Sequence, residues 1–162
     1  MTSNAKGKTM KKLALLCLAI MLVPCLAWSA TLPSLNQSGL NAMIEKNRGK
    51  VIMINFFATW CPPCRAEIPE IVKLRESYPD SKLIIIGLSV DEDKSKVPPF
   101  IQNLKVNYPV YMADMDVTQA YNVSSVPHNA FIAPDGRLII SEPGMAETSV
   151  LKQVVTDLLK TN

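Results

Sequence analysis

The sequence predicts an α/β domain in which a mixed central sheet is flanked by helices. Three observations predict it: short apolar runs rich in β-branched residues (Val51 to Phe57, VIMINFF, and Leu83 to Val90, LIIIGLSV), segments of helical spacing between them, and a hairpin signal late in the chain. Runs of that kind are apolar on both faces, which suits strands covered by helices on each side. No internal repeat, low-complexity tract or Gly/Ser linker divides residues 31–162, so they are read as one domain.

Residues 31–36 (TLPSLN) are a short opening segment. Ser38 to Asn47 carries Leu40, Met43 and Ile44 at helical spacing and is stopped by Gly49. The first apolar strand follows, then a helix from Pro62 to Tyr78, then the second strand. Residues 94–105 read as a helix disturbed early by Pro98-Pro99, because proline lacks the amide hydrogen a helix interior uses. Tyr108 to Met112 reads as a third strand and Thr118 to Tyr121 as a single helical turn. Asn129 to Ala133 and Arg137 to Ser141 form a hairpin around Pro134-Asp135-Gly136, since Asp-Gly supplies the positive φ that a tight turn needs. Thr148 to Leu159 closes the chain as an amphipathic helix, with Val150, Leu151, Val154, Val155, Leu158 and Leu159 on its inner face.

Residues 1–30 read as a signal peptide. Lys6, Lys8, Lys11 and Lys12 make a positive start, and Leu13 to Val23 is an unbroken apolar run before Pro24. A membrane-spanning helix needs about 20 apolar residues, whereas a signal core takes roughly 7 to 15. Small residues fit cleavage after Ser29 or Ala27; an uncleaved anchor and lipidation of Cys25 are the alternatives. Beyond this leader 13 basic face 14 acidic residues, so the chain's +3 becomes −1. Nonspecific nucleic-acid binding finds no support in that balance. At 48% hydrophobic and 19% charged, the composition also excludes a disordered chain.

Four cysteines become two once the leader is set aside, Cys61 and Cys64. Structural disulfides usually close long loops and so restrict the unfolded chain, whereas a Cys61–Cys64 bridge closes almost none. The pair points to chemistry. A zinc knuckle needs four ligands, and two Cys with one distant His do not supply them. Haem attachment needs His after the second Cys, where Arg65 stands.

The segment NFFATWCPPCRAE (Asn55 to Glu67) places the C-x-x-C where a strand gives way to a helix. Cys61 then lies at the helix N-terminus, whose free amide hydrogens and positive dipole end favour a thiolate, the attacking form of the thiol. Cys64 lies one turn on, placed to resolve a mixed disulfide. Pro62 and Pro63 remove two amide donors that would stabilise the thiolate and stiffen the turn, which favours the disulfide and makes the dithiol a stronger reductant.

WCPPC after NFFAT, Pro69 in the following helix and Val126-Pro127 ahead of the last hairpin together resemble thioredoxin, and most closely the exported thioredoxin-like reductases of the TlpA/ResA/CcmG type. The resemblance covers nearly all of residues 38–159. It implies a thioredoxin-like fold with a strand-helix insertion in the middle, roughly residues 83–117, and a cis peptide bond at Pro127 beside the disulfide. It also implies catalytic Cys61, Cys64 and Glu67, a substrate-contacting set of Trp60, Pro62, Val126, Pro127 and His128, and no cofactor or metal beyond the redox-active disulfide.

Two positions, 55 and 67, set this chain apart from ordinary thioredoxins. Asn55 stands where thioredoxin has a buried Asp that handles the resolving thiol's proton, and an amide cannot take it. Glu67 shares a helical stripe with Cys64, Ile71, Leu74 and Tyr78, and ResA-like proteins have an acidic residue there that assists the thiol proton. From the residue alone, Glu67 reads first as a first-turn carboxylate that complements the helix dipole from the surface, and the stripe together with the resemblance reverses that order. His128 follows Pro127 where the family often has Thr. Tuning of Cys61, contact with the partner, metal ligation and simple packing are its open readings.

The function implied is an extracytoplasmic thiol:disulfide oxidoreductase, reducing disulfides in exported proteins, with apocytochrome c one candidate substrate. The expected partners are a cysteine-containing exported protein and a membrane thiol electron donor, with the chain a monomer in the periplasm or an equivalent space. The alternatives are a disulfide oxidase or isomerase, and a copper-delivery protein using Cys61, Cys64 and His128.

Overall fold

A computed structural model of the protein describes residues 31–160. The expected signal peptide, its cleavage or retention, and lipidation of Cys25 lie outside the described residues. Among those described, no helix is long and apolar enough to cross a membrane.

Among the described residues six strands form one sheet: β1 (Ser34–Leu35), β2 (Val51–Phe57), β3 (Leu83–Ser89), β4 (Val110–Ala113), β5 (His128–Ile132) and β6 (Leu138–Pro143). Their order across the sheet is β1-β4-β3-β2-β5-β6. The pairs β1 with β4, β4 with β3 and β3 with β2 are parallel, whereas β5 runs antiparallel to both β2 and β6. The mixed sheet expected from the sequence is therefore present, with the hairpin supplying its antiparallel half. Gly136 turns the hairpin at φ +85°, a conformation costly for any residue with a Cβ.

The helices of the described residues cover the sheet: α1 (Gln37–Lys46), α2 (Pro62–Glu76), α3 (Val97–Asn103), α4 (Met115–Ala120) and α5 (Thr148–Lys160). Strand side chains alternate between faces, so β2 divides its residues between two cores. Val51, Met53 and Phe57 pack with Cys64, Ile68 and Leu74 of α2, Phe100 of α3, and Leu151 and Val155 of α5. Ile52, Ile54 and Phe56 pack on the other side with Leu40 and Ile44 of α1, Val117 of α4 and Tyr121.

Several boundaries differ from the sequence reading: the single turn expected at Thr118 to Tyr121 is the helix α4 (Met115–Ala120), and three further differences have a backbone reason. The opening segment contains β1, a two-residue strand that exists through its pairing with β4 and the bond from Met112 N–H to Pro33 O at 2.9 Å. Residues 94–105 divide into a 3₁₀ turn (Lys94–Lys96) and α3, because Pro98 and Pro99 fit only the first turn of an α-helix. The third strand begins at Val110 instead of Tyr108, as Pro109 has no amide hydrogen and only its carbonyl pairs, with Gly87 N–H at 2.9 Å.

Candidate functional site

The dithiol stands where β2 passes into α2. Cys61 is the N-cap of α2 with extended backbone (φ −91°, ψ 109°), and its Sγ accepts the Cys64 amide hydrogen at 3.2 Å. Proline at the first two helical positions leaves that amide as the first-turn donor reaching the sulfur. Cys61 and Cys64 are joined as a disulfide, with their Cα atoms 5.3 Å apart. Cys61 retains 3% exposure and Cys64 none. The Cys61 sulfur also lies 3.5 Å from the Val126 carbonyl oxygen.

Trp60, 67% exposed, stands beside the pair, and Pro62 and Pro63 are exposed on the same turn. The Val126–Pro127 peptide is cis, as the resemblance implies, and Pro127 is buried. The Pro127 carbonyl is already engaged, accepting Gly144 N–H at 2.8 Å.

Glu67 lies on the inner stripe of α2 and is fully buried, not on the dipole-facing surface. Its Oε1 accepts from Asn129 Nδ2 at 2.6 Å and Ala146 N–H at 2.9 Å, and its Oε2 from Asn55 Nδ2 at 3.0 Å. Burial raises the Glu67 pKa by disfavouring the charged form, and the Ala146, Asn129 and Asn55 donors partly offset this. A carboxyl group so placed can take or return a proton without a neighbouring cation.

Of the open readings of His128 the structure shows packing, and it does not place the residue with the substrate-contacting set. Its ring is 1% exposed, packs edge-on to Phe56 with centroids 5.7 Å apart, and pairs Nε2 with Ser141 Oγ at 2.9 Å. Ser141 Oγ donates to Tyr121 O at 3.0 Å, so His128 Nε2 is the donor of the pair. Strand alternation turns this ring to the side of Phe56 and Tyr121, across the sheet from the core that contains Cys61 and Cys64. The imidazole is therefore not among the exposed contact residues, and the ligand set Cys61, Cys64 and His128 does not converge. Among the described residues no group of three His, Cys, Asp or Glu side chains is arranged to hold a metal.

Sequence reasoning missed the residues that fix the loop before Cys61. Asp91, just beyond β3, accepts from Thr59 N–H at 2.9 Å, Thr59 Oγ1 at 2.5 Å and Ser89 Oγ at 2.8 Å. Arg65 Nε and Nη2 donate to the Thr59 carbonyl at 3.1 and 2.8 Å while its guanidinium lies over the Phe100 ring. Thr59 is thus held through its N–H, side chain and C=O, two residues before the nucleophile position. A polar residue ending an apolar strand was the available signal for Asp91. For Asn129 it was an amide inside a buried run, which burial alone would penalise.

The family model described as Redoxin matches residues 7–158. The chain is 31% identical over 115 residues to the thiol-disulfide oxidoreductase ResA of Bacillus subtilis (strain 168), a match covering 70% of this chain and 64% of that protein. The chain spans about half the length of two further curated relatives, the thioredoxin-like protein YneN of Bacillus subtilis (strain 168) and the ResA of Oceanobacillus iheyensis. Among solved structures, a thiol:disulfide interchange protein of the thioredoxin family from Chlorobium tepidum TLS is similar with a TM-score of 0.66 and 28% identity, covering 71% of this chain and 83% of that one. A thiol-disulfide isomerase from Corynebacterium glutamicum is similar with a TM-score of 0.65 and 25% identity, covering 71% and 84%. The matched length takes in the sheet, the Cys61–Cys64 helix and the cis-Pro127 strand, and the chain belongs to the Redoxin family.

Proposed function

We propose that this protein is an extracytoplasmic thiol:disulfide oxidoreductase that reduces disulfides in exported proteins, cytochrome c maturation being one process that needs such chemistry. The observation that carries the reading is Cys61 at the N-cap of α2, bonded to a fully buried Cys64 one turn from the buried carboxyl of Glu67. The export element rests on the leader pattern of residues 1–30.

In the reduced protein the Cys61 thiolate, stabilised by the Cys64 amide and the helix end, attacks one sulfur of a partner disulfide and expels the other as a thiolate. Cys64 then gives its proton to Glu67, and the Cys64 thiolate attacks the Cys61 sulfur of the mixed disulfide. The Cys61–Cys64 bond forms, the second partner sulfur leaves as a thiolate, and two electrons have passed to the partner. A thiol donor of the membrane restores the dithiol by the reverse exchange. Trp60, Pro62, Val126 and Pro127 form the contact surface, with the Val126 backbone offered to the partner because Pro127 O is taken by Gly144.

The likeness to the isomerase supports a second reading, a disulfide oxidase or isomerase. The reduction potential separates the two: a value below roughly −200 mV supports the reductase, and one near −120 mV, typical of strong oxidants, overturns it. Trapping with Cys64→Ala, which removes the resolving thiol, then identifies the partner as a persistent mixed disulfide.

A further inference from the structure

The short segment Gly144-Met145-Ala146, between β6 and α5, reaches two parts of the site at once. Gly144 N–H donates to Pro127 O at 2.8 Å, and Ala146 N–H donates to Glu67 Oε1 at 2.9 Å. Asn129 Nδ2 ties the two ends together, donating to Gly144 O at 3.3 Å and to Glu67 Oε1 at 2.6 Å. Gly144 adopts φ +118°, which a residue with a Cβ rarely does, so this course of the chain depends on glycine. Met145 between them is 53% exposed. A cavity of about 210 Å³ lies against the segment, with Asn129, Gly144 and Ala146 in its wall.

We propose that Gly144 and Ala146 are positioning residues that couple docking of a partner polypeptide at the Val126–Pro127 peptide to the carboxyl group of Glu67, an inference that rests on the thiol-exchange reading above. A partner paired along Val126 presses on a peptide whose carbonyl already belongs to Gly144, and Ala146 lies two residues further on. The Ala146 N–H favours the carboxylate form of Glu67, so a shift that lengthens this bond makes Glu67 readier to accept the Cys64 proton. Docking thereby primes the resolving step. Among the described residues, the titratable groups on the elements packed here are Cys64 one turn before Glu67 on α2, a thiol once the disulfide is reduced, Tyr108 ahead of β4, whose burial and the Glu67 charge both keep its hydroxyl protonated, and Glu142 of β6 on the wall of the cavity that Asn129 also lines. The side chains bonded to Glu67, Asn55 and Asn129, are neutral amides.

The test uses the full chain, a disulfide-containing peptide as substrate, and the carbon-13 carboxyl signal of Glu67. Ala146→Pro deletes one amide hydrogen without adding charge. It should move the Glu67 titration midpoint upward, carry the pH profile of exchange with it, and change the exchange rate two- to tenfold. In a Glu67→Gln background the same change should leave the pH profile where Glu67→Gln alone puts it. A second measurement does not depend on the proline variant folding: trapping a cysteine peptide on Cys61 in Cys64→Ala should move the Glu67 signal. If Glu67→Gln alters the parent profile but Ala146→Pro and the trapped peptide leave Glu67 unmoved, the coupling is wrong and the thiol reading stands. If the parent does not exchange with the peptide at all, both are wrong.

Discussion

Asn55 on β2 and Asn129 on β5 face each other in antiparallel register, bonded from Nδ2 to Oδ1 at 2.8 Å, and each directs an amide hydrogen to the carboxyl group of Glu67. Two neutral amides thus solvate a buried acid that no cation of the described residues pairs with. The arrangement explains why an amide suits position 55. Replacing Asn55→Asp would set a second carboxylate against Glu67, and two such groups in contact cannot both ionise cheaply. We expect Asn55→Asp to lose stability progressively as pH rises above the carboxyl range, read as a falling urea midpoint.

Glu67→Gln should keep the fold and alter the pH dependence. The folded-state pKa of Glu67 is raised above its reference of 4.5, so its stability contribution is complete below that value and is lost as pH rises through the folded pKa. Unfolding midpoints of Glu67→Gln should therefore gain on the parent as pH increases across that window. The pH profile of thiol exchange should change over the same range. Two superimposable exchange profiles would remove Glu67 from the chemistry.

In the reduced protein, alkylation near neutral pH should label Cys61 before Cys64. Cys61 has the residual exposure and the amide donor at its sulfur, whereas Cys64 is fully buried. Peptide mapping after brief alkylation reads the order, and preferential labelling of Cys64 would reverse the assigned roles.

Asp91→Ala should cost about 1–3 kcal/mol, because it leaves the buried Thr59 N–H without its acceptor. It should also slow exchange at Cys61, since the loop that presents Trp60 and Cys61 is held through Thr59. Asp91→Asn keeps one acceptor oxygen and should fall between. Denaturant titration and exchange kinetics on the two variants check the order parent, Asn, Ala.

Acid should find His128. Desolvation lowers its folded pKa below 6.5, so its stability contribution is present above that value and lost as pH falls toward the folded pKa. His128→Gln can still donate to Ser141 but does not titrate. Its unfolding midpoint should decline less than the parent's between pH 7 and pH 5, with exchange at Cys61 largely retained. A loss of exchange comparable to that of Cys61→Ala would restore His128 to the reacting site.

The sequence by itself determined the order of the main helices and central strands, the hairpin turn and the dithiol at a helix start, because each is written within a dozen neighbouring residues, whereas β1 exists only through its pairing with β4. VIMINFF and LIIIGLSV are apolar on both faces, Asp135-Gly136 supplies a turn, and Cys61-Pro62-Pro63-Cys64 joins a cap to two prolines that only a first turn accepts. The helical stripe carried one step further and turned Glu67 inward. Tertiary structure alone decided what Glu67 meets there: the Ala146 amide 79 residues away and the Asn129 amide 62 residues away. The Asp91 grip on Thr59 spans 32 residues and the face taken by His128 depends on the register of β5 against β2. A one-residue slip in that register would exchange the faces of His128 and Asn129, and local pattern does not fix it. Contacts between distant segments leave no periodic trace in either segment, so the dithiol could be read from the chain while the groups that hold and tune it became visible only when the sheet brought them together.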